Sequence, residues 1–130
     1  MAVLVVTPDG AAYVGDCESL LIRTDDGDVE ILAGHVDYIA SVGTGRARIK
    51  TAGTDRYAAC SGGFLSVEGG EVKLVAVTFE FSEDIDLSRA KRAKENAESQ
   101  LKAAKDDKSV TIAKAKLQRA LARINAANLK

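Results

Sequence analysis

The chain predicts an N-terminal antiparallel β-sandwich of eight to ten short strands followed by a C-terminal antiparallel α-helical hairpin. Three observations carry that prediction. The hydrophobic period changes from two to about three and a half across Ser82-Glu83-Asp84-Ile85-Asp86-Leu87-Ser88-Arg89-Ala90. All eleven glycines and the single proline, Pro8, lie upstream of that stretch. Charge divides at the same place: residues 1–82 hold six Lys or Arg against twelve Asp or Glu, and residues 83–130 hold twelve against seven. The two parts carry −6 and +5, a contrast that the net charge of −1 conceals. The expected domains are therefore a sandwich over 1–84 and a hairpin over 85–130.

The strands follow from turn chemistry. Ala2 to Thr7 is apolar and β-branched, Pro8-Asp9-Gly10 turns the chain, and Ala11 to Val14 returns beside it. Cys17 to Thr24 and Val29 to Leu32 form a second hairpin around Asp25-Asp26-Gly27-Asp28. Tyr38 to Val42, Arg46 to Lys50, Arg56 to Ser61, Phe64 to Val67 and Val72 to Phe81 complete the set, with glycine pairs between several of them. Turns at this spacing signal a sandwich or flattened barrel rather than βαβ units. With three Phe, three Tyr and no Trp in the chain, the core must be built from Val, Ile, Leu and Ala. Val72 to Thr78 is the most apolar run and is expected as one central strand.

At the junction Asp84 and Asp86 offer carboxylates to the free N–H groups of a starting helix. Leu87, Ala90, Ala93 or Lys94, Ala97, Leu101 and Ala104 then recur every three or four residues, which places them on one stripe. Asp106-Asp107-Lys108-Ser109 interrupts it, and Asp107 or Ser109 is expected to cap a second helix with its seam at Val110, Ala113, Leu117, Ala120, Ile124 and Ala127. Both seams are rich in alanine. Each contact then removes about one methyl group from water, worth roughly 0.8 kcal/mol. Helices of this length are marginal alone, so the hairpin is expected to be a movable appendage.

Composition excludes several classes of function. No apolar run reaches the roughly 18 residues of a membrane span, and Met1 to Val6 is too short for a signal peptide, so a soluble, internal protein is expected. In that compartment Cys17 and Cys60 are small buried hydrophobes rather than a disulfide. His35 is the single histidine and no Gly-x-Ser-x-Gly elbow exists, so nucleophilic catalysis has no machinery. Asp25, Asp26, Asp28 and Glu30 lack the spacing of a calcium loop and read as a turn without a metal. Gly43-Thr44-Gly45 lacks the Lys and the helix of a phosphate loop. After Asp107 come Lys108, Lys114, Lys116, Arg119, Arg123 and Lys130 with no acid between them, which makes the last helix a cation.

Four stretches in order and spacing resemble the epsilon-subunit family of F-type ATP synthases, over essentially the whole chain. They are Val6-Thr7-Pro8-Asp9-Gly10 with Tyr13 and Gly15; Gly27-Asp28-Val29-Glu30-Ile31-Leu32-Ala33-Gly34-His35; Ser61-Gly62-Gly63-Phe64-Leu65 with Val67; and Ile85-Asp86-Leu87-Ser88-Arg89-Ala90. Glu30 and Asp37 stand where the family usually has Gly and Pro. The resemblance implies a non-catalytic central-stalk subunit of a proton-translocating synthase, peripheral on the cytoplasmic face of the bacterial cell membrane. Its sandwich would join the gamma subunit to the membrane-embedded c-subunit ring, with Asp28, Gly34 and His35 on the edge facing the ring. Its hairpin would inhibit ATP hydrolysis by rising toward the alpha/beta head, with Lys114, Lys116, Arg119 and Arg123 meeting an acidic segment of beta.

No cofactor is required for that role. The resemblance nevertheless implies ATP as a regulatory ligand of the folded-down hairpin, held by Glu80, Ile85, Asp86, Arg89, Arg119 and Arg123. Arg119 and Arg123, four residues apart, present two guanidinium forks from one helix face. Asn96 stands where ATP-binding members carry a further arginine. A rival reading is a free-standing adaptor whose basic hairpin binds nucleic acid. Against it, the sheet domain is acidic and no aromatic follows Phe81 to stack on bases.

Overall fold

The computed structural model describes residues 1–129. Ten strands come first: β1 Ala2–Thr7, β2 Gly10–Asp16, β3 Ser19–Thr24, β4 Gly27–Leu32, β5 Tyr38–Ser41, β6 Gly45–Thr51, β7 Thr54–Ser61, β8 Phe64–Glu68, β9 Glu71–Val75 and β10 Thr78–Phe81. A 3-10 turn over Ser82–Asp84 leads into α1 Leu87–Ala103 and α2 Asp107–Ala127. The strands form two five-stranded sheets, ordered β2-β1-β9-β8-β5 and β10-β7-β6-β3-β4. Side chains from both inner faces fill the space between them. Leu20, Ile22, Ile31, Ile49, Leu65, Leu74 and Val5 are fully buried there, so the core is aliphatic as composition required. Cys17 and Cys60 are buried and free, and burial pushes the Cys60 thiol up to about 12.

The two predicted hairpins are present, β1 with β2 and β3 with β4. One pairing departs from the antiparallel rule: β1 runs parallel to β9, Val3 opposite Val72 and Val5 opposite Leu74. The run from Val72 to Phe81 is also not one strand. It divides at Ala76-Val77, β9 lying centrally in the first sheet and β10 at the edge of the second. Successive N–H groups make the transfer: Ala76 donates to the Val6 carbonyl at 2.9 Å and Val77 to the Ser61 carbonyl at 3.1 Å. Hydrophobicity alone cannot mark that switch, because both halves are apolar. Gly63 permits it. A Cβ there would lie 1.7 Å from the Val75 carbonyl oxygen, and its φ of +94° already favours glycine.

Asp86 caps α1, accepting from the Arg89 N–H at 3.1 Å. The cap of α2 is Asp106, which accepts from the Ser109 N–H at 2.7 Å, and not Asp107 or Ser109. With φ −121° and ψ 162°, Asp106 is the residue outside helical geometry, and Asp107 already belongs to the first turn. Between the helices Ala90, Ala97, Ala113 and Ala120 are buried, whereas Leu87, Leu101, Leu117 and Ile124 are half-buried. The hairpin is folded back on the sandwich, with α2 against β6 and β7. Its apolar footing is Ala59 of β7 with Ile85, Ala90, Ala126 and Ala127.

Leu74→Ala should lower unfolding free energy by about 2–5 kcal/mol, measured by equilibrium denaturation, because the side chain is fully enclosed between the sheets. The Asp106 carboxyl is held below its usual range by the backbone and side-chain hydrogen bonds of Ser109. Its contribution is therefore complete above the ordinary carboxylate pKa and fades as pH falls through the lowered value. Acidification over that window should fray the first turn of α2, read as faster amide exchange at Ser109, and should have no such effect in Asp106→Asn.

Candidate functional site

A cleft of about 560 Å³ opens between the hairpin and the second sheet. Two strands, β7 and β10, and both helices build it. From β10 comes Glu80, which alternation turns away from the core because Phe81 beside it points inward. From α1 come Arg89, Asn96 and Gln100, and from α2 come Lys116, Arg119 and Arg123. Spacings of three, four and seven residues keep each set on one helix face.

The charged side chains lining the cleft are mostly cations. Arg89, Lys116, Arg119 and Arg123 line it against one carboxylate, Glu80. Arg123 Nη2 donates to Glu80 Oε1 at 3.3 Å, and both side chains are partly exposed. Arg123 Nε is buried without a hydrogen-bond partner among the described residues. Lys116 Nζ approaches Gln100 Oε1 at 3.5 Å across the helix seam. The floor is polar as well: the hydroxyls of Ser61 and Thr78 hydrogen-bond each other, and both residues line the cleft.

Of the residues expected to hold a nucleotide, Glu80, Arg89, Arg119 and Arg123 converge on this cleft. Ile85 and Asp86 do not line it. Ile85 is buried in the footing of the hairpin, and Asp86 spends its carboxylate on the α1 cap. Asn96 does line the cleft and brings an amide rather than a charge. Ser61, Thr78 and Gln100 were not legible as site residues, since only the packing of α1 and α2 over β7 and β10 brings them together.

The expected partner-binding residues divide in two. Lys116, Arg119 and Arg123 face the cleft, whereas Lys114 is exposed and outside its lining. Asp28, Gly34 and His35 lie on the β4 edge and the loop that follows it. Arg23 Nε donates to Asp28 Oδ1 at 2.6 Å, and this hydrogen bond holds the Asp28 carboxyl below its ordinary range. Gly34 takes φ +82°. His35 Nδ1 lies 2.7 Å from the Val36 carbonyl oxygen, and its ring stands edge-on to Tyr38 at 5.7 Å.

Sandwich, capped junction and a hairpin folded over a cleft of cationic side chains together define a two-part module, a sheet half and a helical half. Family models give the class a name. That of the ATP synthase delta/epsilon chain β-sandwich domain matches residues 1–82, and that of the long α-helix domain of the same chains matches residues 83–128. The chain is 41% identical over 123 residues to the ATP synthase epsilon chain of Bacillus velezensis, covering 95% of this chain and 93% of that one. It is 39% identical over 127 residues to that of Ruminococcus albus, covering 97% and 95%. Two cryo-EM structures share the fold. A chain in the Euglena gracilis mitochondrial ATP synthase (OSCP/F1/c-ring) matches with TM-score 0.83 at 22% identity, covering 98% of this chain and 80% of that one. A chain in the Tetrahymena thermophila mitochondrial ATP synthase (central stalk/c-ring) matches with TM-score 0.71 at 13% identity, covering 98% and 96%. This chain belongs to the epsilon chains of the ATP synthase delta/epsilon family.

Glu80→Gln removes the ion pair between β10 and α2. A partly exposed pair is worth about 0–1 kcal/mol, so the unfolding midpoint of the sandwich should hardly move. Amide exchange along α2 should accelerate, as measured by hydrogen–deuterium exchange.

Proposed function

We propose that this chain is a non-catalytic central-stalk subunit of an F-type ATP synthase, attached to the membrane only through the complex. The sandwich couples gamma to the membrane ring, and the hairpin regulates ATP hydrolysis by leaving its seat. No helix among the described residues is long and apolar enough to cross a membrane.

The observation that carries this reading is the nature of the surface under α2. Ala59 contacts the hairpin, so its cross-strand neighbours Arg46 and Glu80 share its outward face, as do Arg48 and Tyr57 two residues further along their strands. If the hairpin departs, water meets these charged side chains together with Leu21, Tyr57 and Ala59 on the sheet and Ile85 at the junction. The alanine seams hold the helices to each other by methyl-sized contacts.

The opposite face of the sandwich is different. Leu65, Leu74 and Val5 point inward, so Phe64, Val75, Leu4 and Val14 point outward on the first sheet, with Ile39 on its edge strand. Val14 is 71%, Ile39 77% and Phe64 46% exposed, and Val77 at the sheet switch is 61%. An apolar face of this kind fits a large protein partner, and we assign gamma to it. Asp28, Gly34 and His35, with exposed Leu32 and Val36, are assigned to the membrane ring.

Lys114, Lys116, Arg119 and Arg123 would meet the acidic segment of beta in the raised hairpin. In the folded pose three of these four line the cleft, so the phosphates of ATP would occupy the same cations and hold the hairpin down. Glu80, Arg89, Arg119 and Arg123 form that nucleotide site, with Ile85 and Asp86 fixing the junction beneath it. Asn96 contributes no charge, which lowers affinity.

Replacing Lys114, Lys116, Arg119 and Arg123 with Ala should raise the ATPase activity of the assembled complex, and unchanged activity would overturn the inhibitory role. In calorimetry with Mg-ATP, Arg119→Ala should weaken binding at least about tenfold, because it removes a charge-assisted contact to phosphate. An absence of heat from the unmodified chain at millimolar ATP would remove the nucleotide from this account.

A further inference from the structure

On the other flank of α2 lies a second cavity of about 520 Å³, formed by Arg23, Gly45 and Arg46 on the sandwich side and Gln118, Leu121 and Asn125 on the helix. No carboxylate of the described residues lines it. The second sheet presents three arginines outward from neighbouring strands, and two of them are neutralised locally. Arg48 pairs with Glu30 at 2.9 Å and approaches Asp55 at 3.9 Å. Arg23 gives Nε and Nη2 to Asp28 at 2.6 and 3.4 Å. Arg46 is half-buried at the cavity wall and makes no ion pair within 4.0 Å among the described residues, although its charge is near enough to Asp28 to help lower that carboxyl.

The loop before β6 shapes this wall. A Cβ at Gly45 would lie 3.0 Å from Arg23 Cβ, so the glycine lets the Arg23 side chain cross directly over the backbone. Its ion pair with Asp28 then orients the guanidinium without filling the cavity, as Asp28 lies outside the lining. Facing the arginines are the carboxamides of Gln118 and Asn125, which add neutral N–H donors. Leu121 is exposed and supplies one apolar surface. The Arg46 guanidinium, the Arg23 guanidinium held from outside the lining by Asp28, and the amide donors match the tetrahedral oxygens of a phosphate group.

We propose that this cavity binds the phosphate group of a small anion, and that the bound group ties α2 to the second sheet from the flank opposite the nucleotide cleft. Arg46 is the principal donor. Because its donors come from both the sandwich and α2, the site exists only while the hairpin is folded down. Occupation therefore favours that pose, whether or not the first cleft holds a nucleotide.

Amide NMR of the full chain tests the proposal, with Arg119→Ala as background to weaken the first cleft while the Arg123–Glu80 pair that seats α2 stays in place. Titration with inorganic phosphate, at ionic strength matched with chloride, should shift Thr44, Gly45, Arg46, Gln118 and Asn125. Arg46→Gln should weaken that response at least about tenfold, and Arg46→Lys less, since one charge-assisted fork is lost or reduced to a point charge. Shifts at these residues with phosphate identify a free-anion site; shifts with Mg-ATP but not phosphate identify a nucleotide phosphate as the source, and either supports the proposal. Should Arg46→Gln lose its folded spectrum, exposed Gln118→Ala provides the same comparison. Absence of shifts with both probes, or shifts indifferent to Arg46 and Gln118, overturns it.

Discussion

The seating of α2 on the sandwich through methyl groups is the constraint on which the rest of this structure depends. Ala59, Ala90, Ala126 and Ala127 allow backbones to approach closely, and Ile85 is the one large side chain buried with them. Each methyl contributes roughly 0.8 kcal/mol, whereas the leucines and isoleucines enclosed between the sheets contribute several times that. The footing of the hairpin is therefore smaller than the core between the sheets, with half-buried Leu87 and Ile124 packed against it. Leu or Ile at the alanine positions would deepen the contact but force the helices away from the sheet, and the clefts on either side of α2 would change shape.

Charge follows the same division. The sandwich carries −6 over residues 1–82, yet several of its carboxylates are engaged by its own arginines: Asp28 by Arg23, Glu30 and Asp55 by Arg48. Glu80 meets Arg123, and the cleft retains an excess of positive charge. Opposite overall charge still draws hairpin and sandwich together over a distance that salt shortens to about 10 Å at 0.1 M. The general field favours the folded pose while leaving the local cations available, a combination that a fully paired interface would not provide.

Much of this was legible in the sequence because it rests on local chemistry. Asp25-Asp26-Gly27-Asp28 names its hairpin, Asp86 names its cap, and Arg119 with Arg123 name a shared helix face. What was not legible depends on closure of the whole sandwich. The parallel pairing of β1 with β9 and the division of Val72–Phe81 arise where the chain passes between sheets, and neither leaves a periodic trace. Asp106 rather than Asp107 caps α2 because two adjacent acids compete, and the backbone leaves helical geometry at the first of them. Of the site, the helix cations were readable; the hydroxyls of Ser61 and Thr78 beneath them belong to distant strands and acquire meaning only when α2 lies across.

The antiparallel return of α2 also determines where such a hairpin must first give way. Its C-terminal residues Ala126 and Ala127 pack beside Ile85 and Ala90, so the end of the second helix is held at the root of the first. The hinge is already firm: Ser82 and Ile85 are buried and Asp86 closes the first turn of α1. Lys105 and Asp106 at the tip are exposed, and α2 packs on β6 and β7. Release, if the hairpin moves as proposed, would require the last two turns of α2 to separate from the sheet. Arg119 and Arg123 lie one to two turns before Ala126, and Gln118 and Asn125 lie on the other flank over the same length. Anions held there, as proposed above, would act on the segment that seats the hairpin on the sheet, so a small ligand would bear on a helix pair far larger than itself.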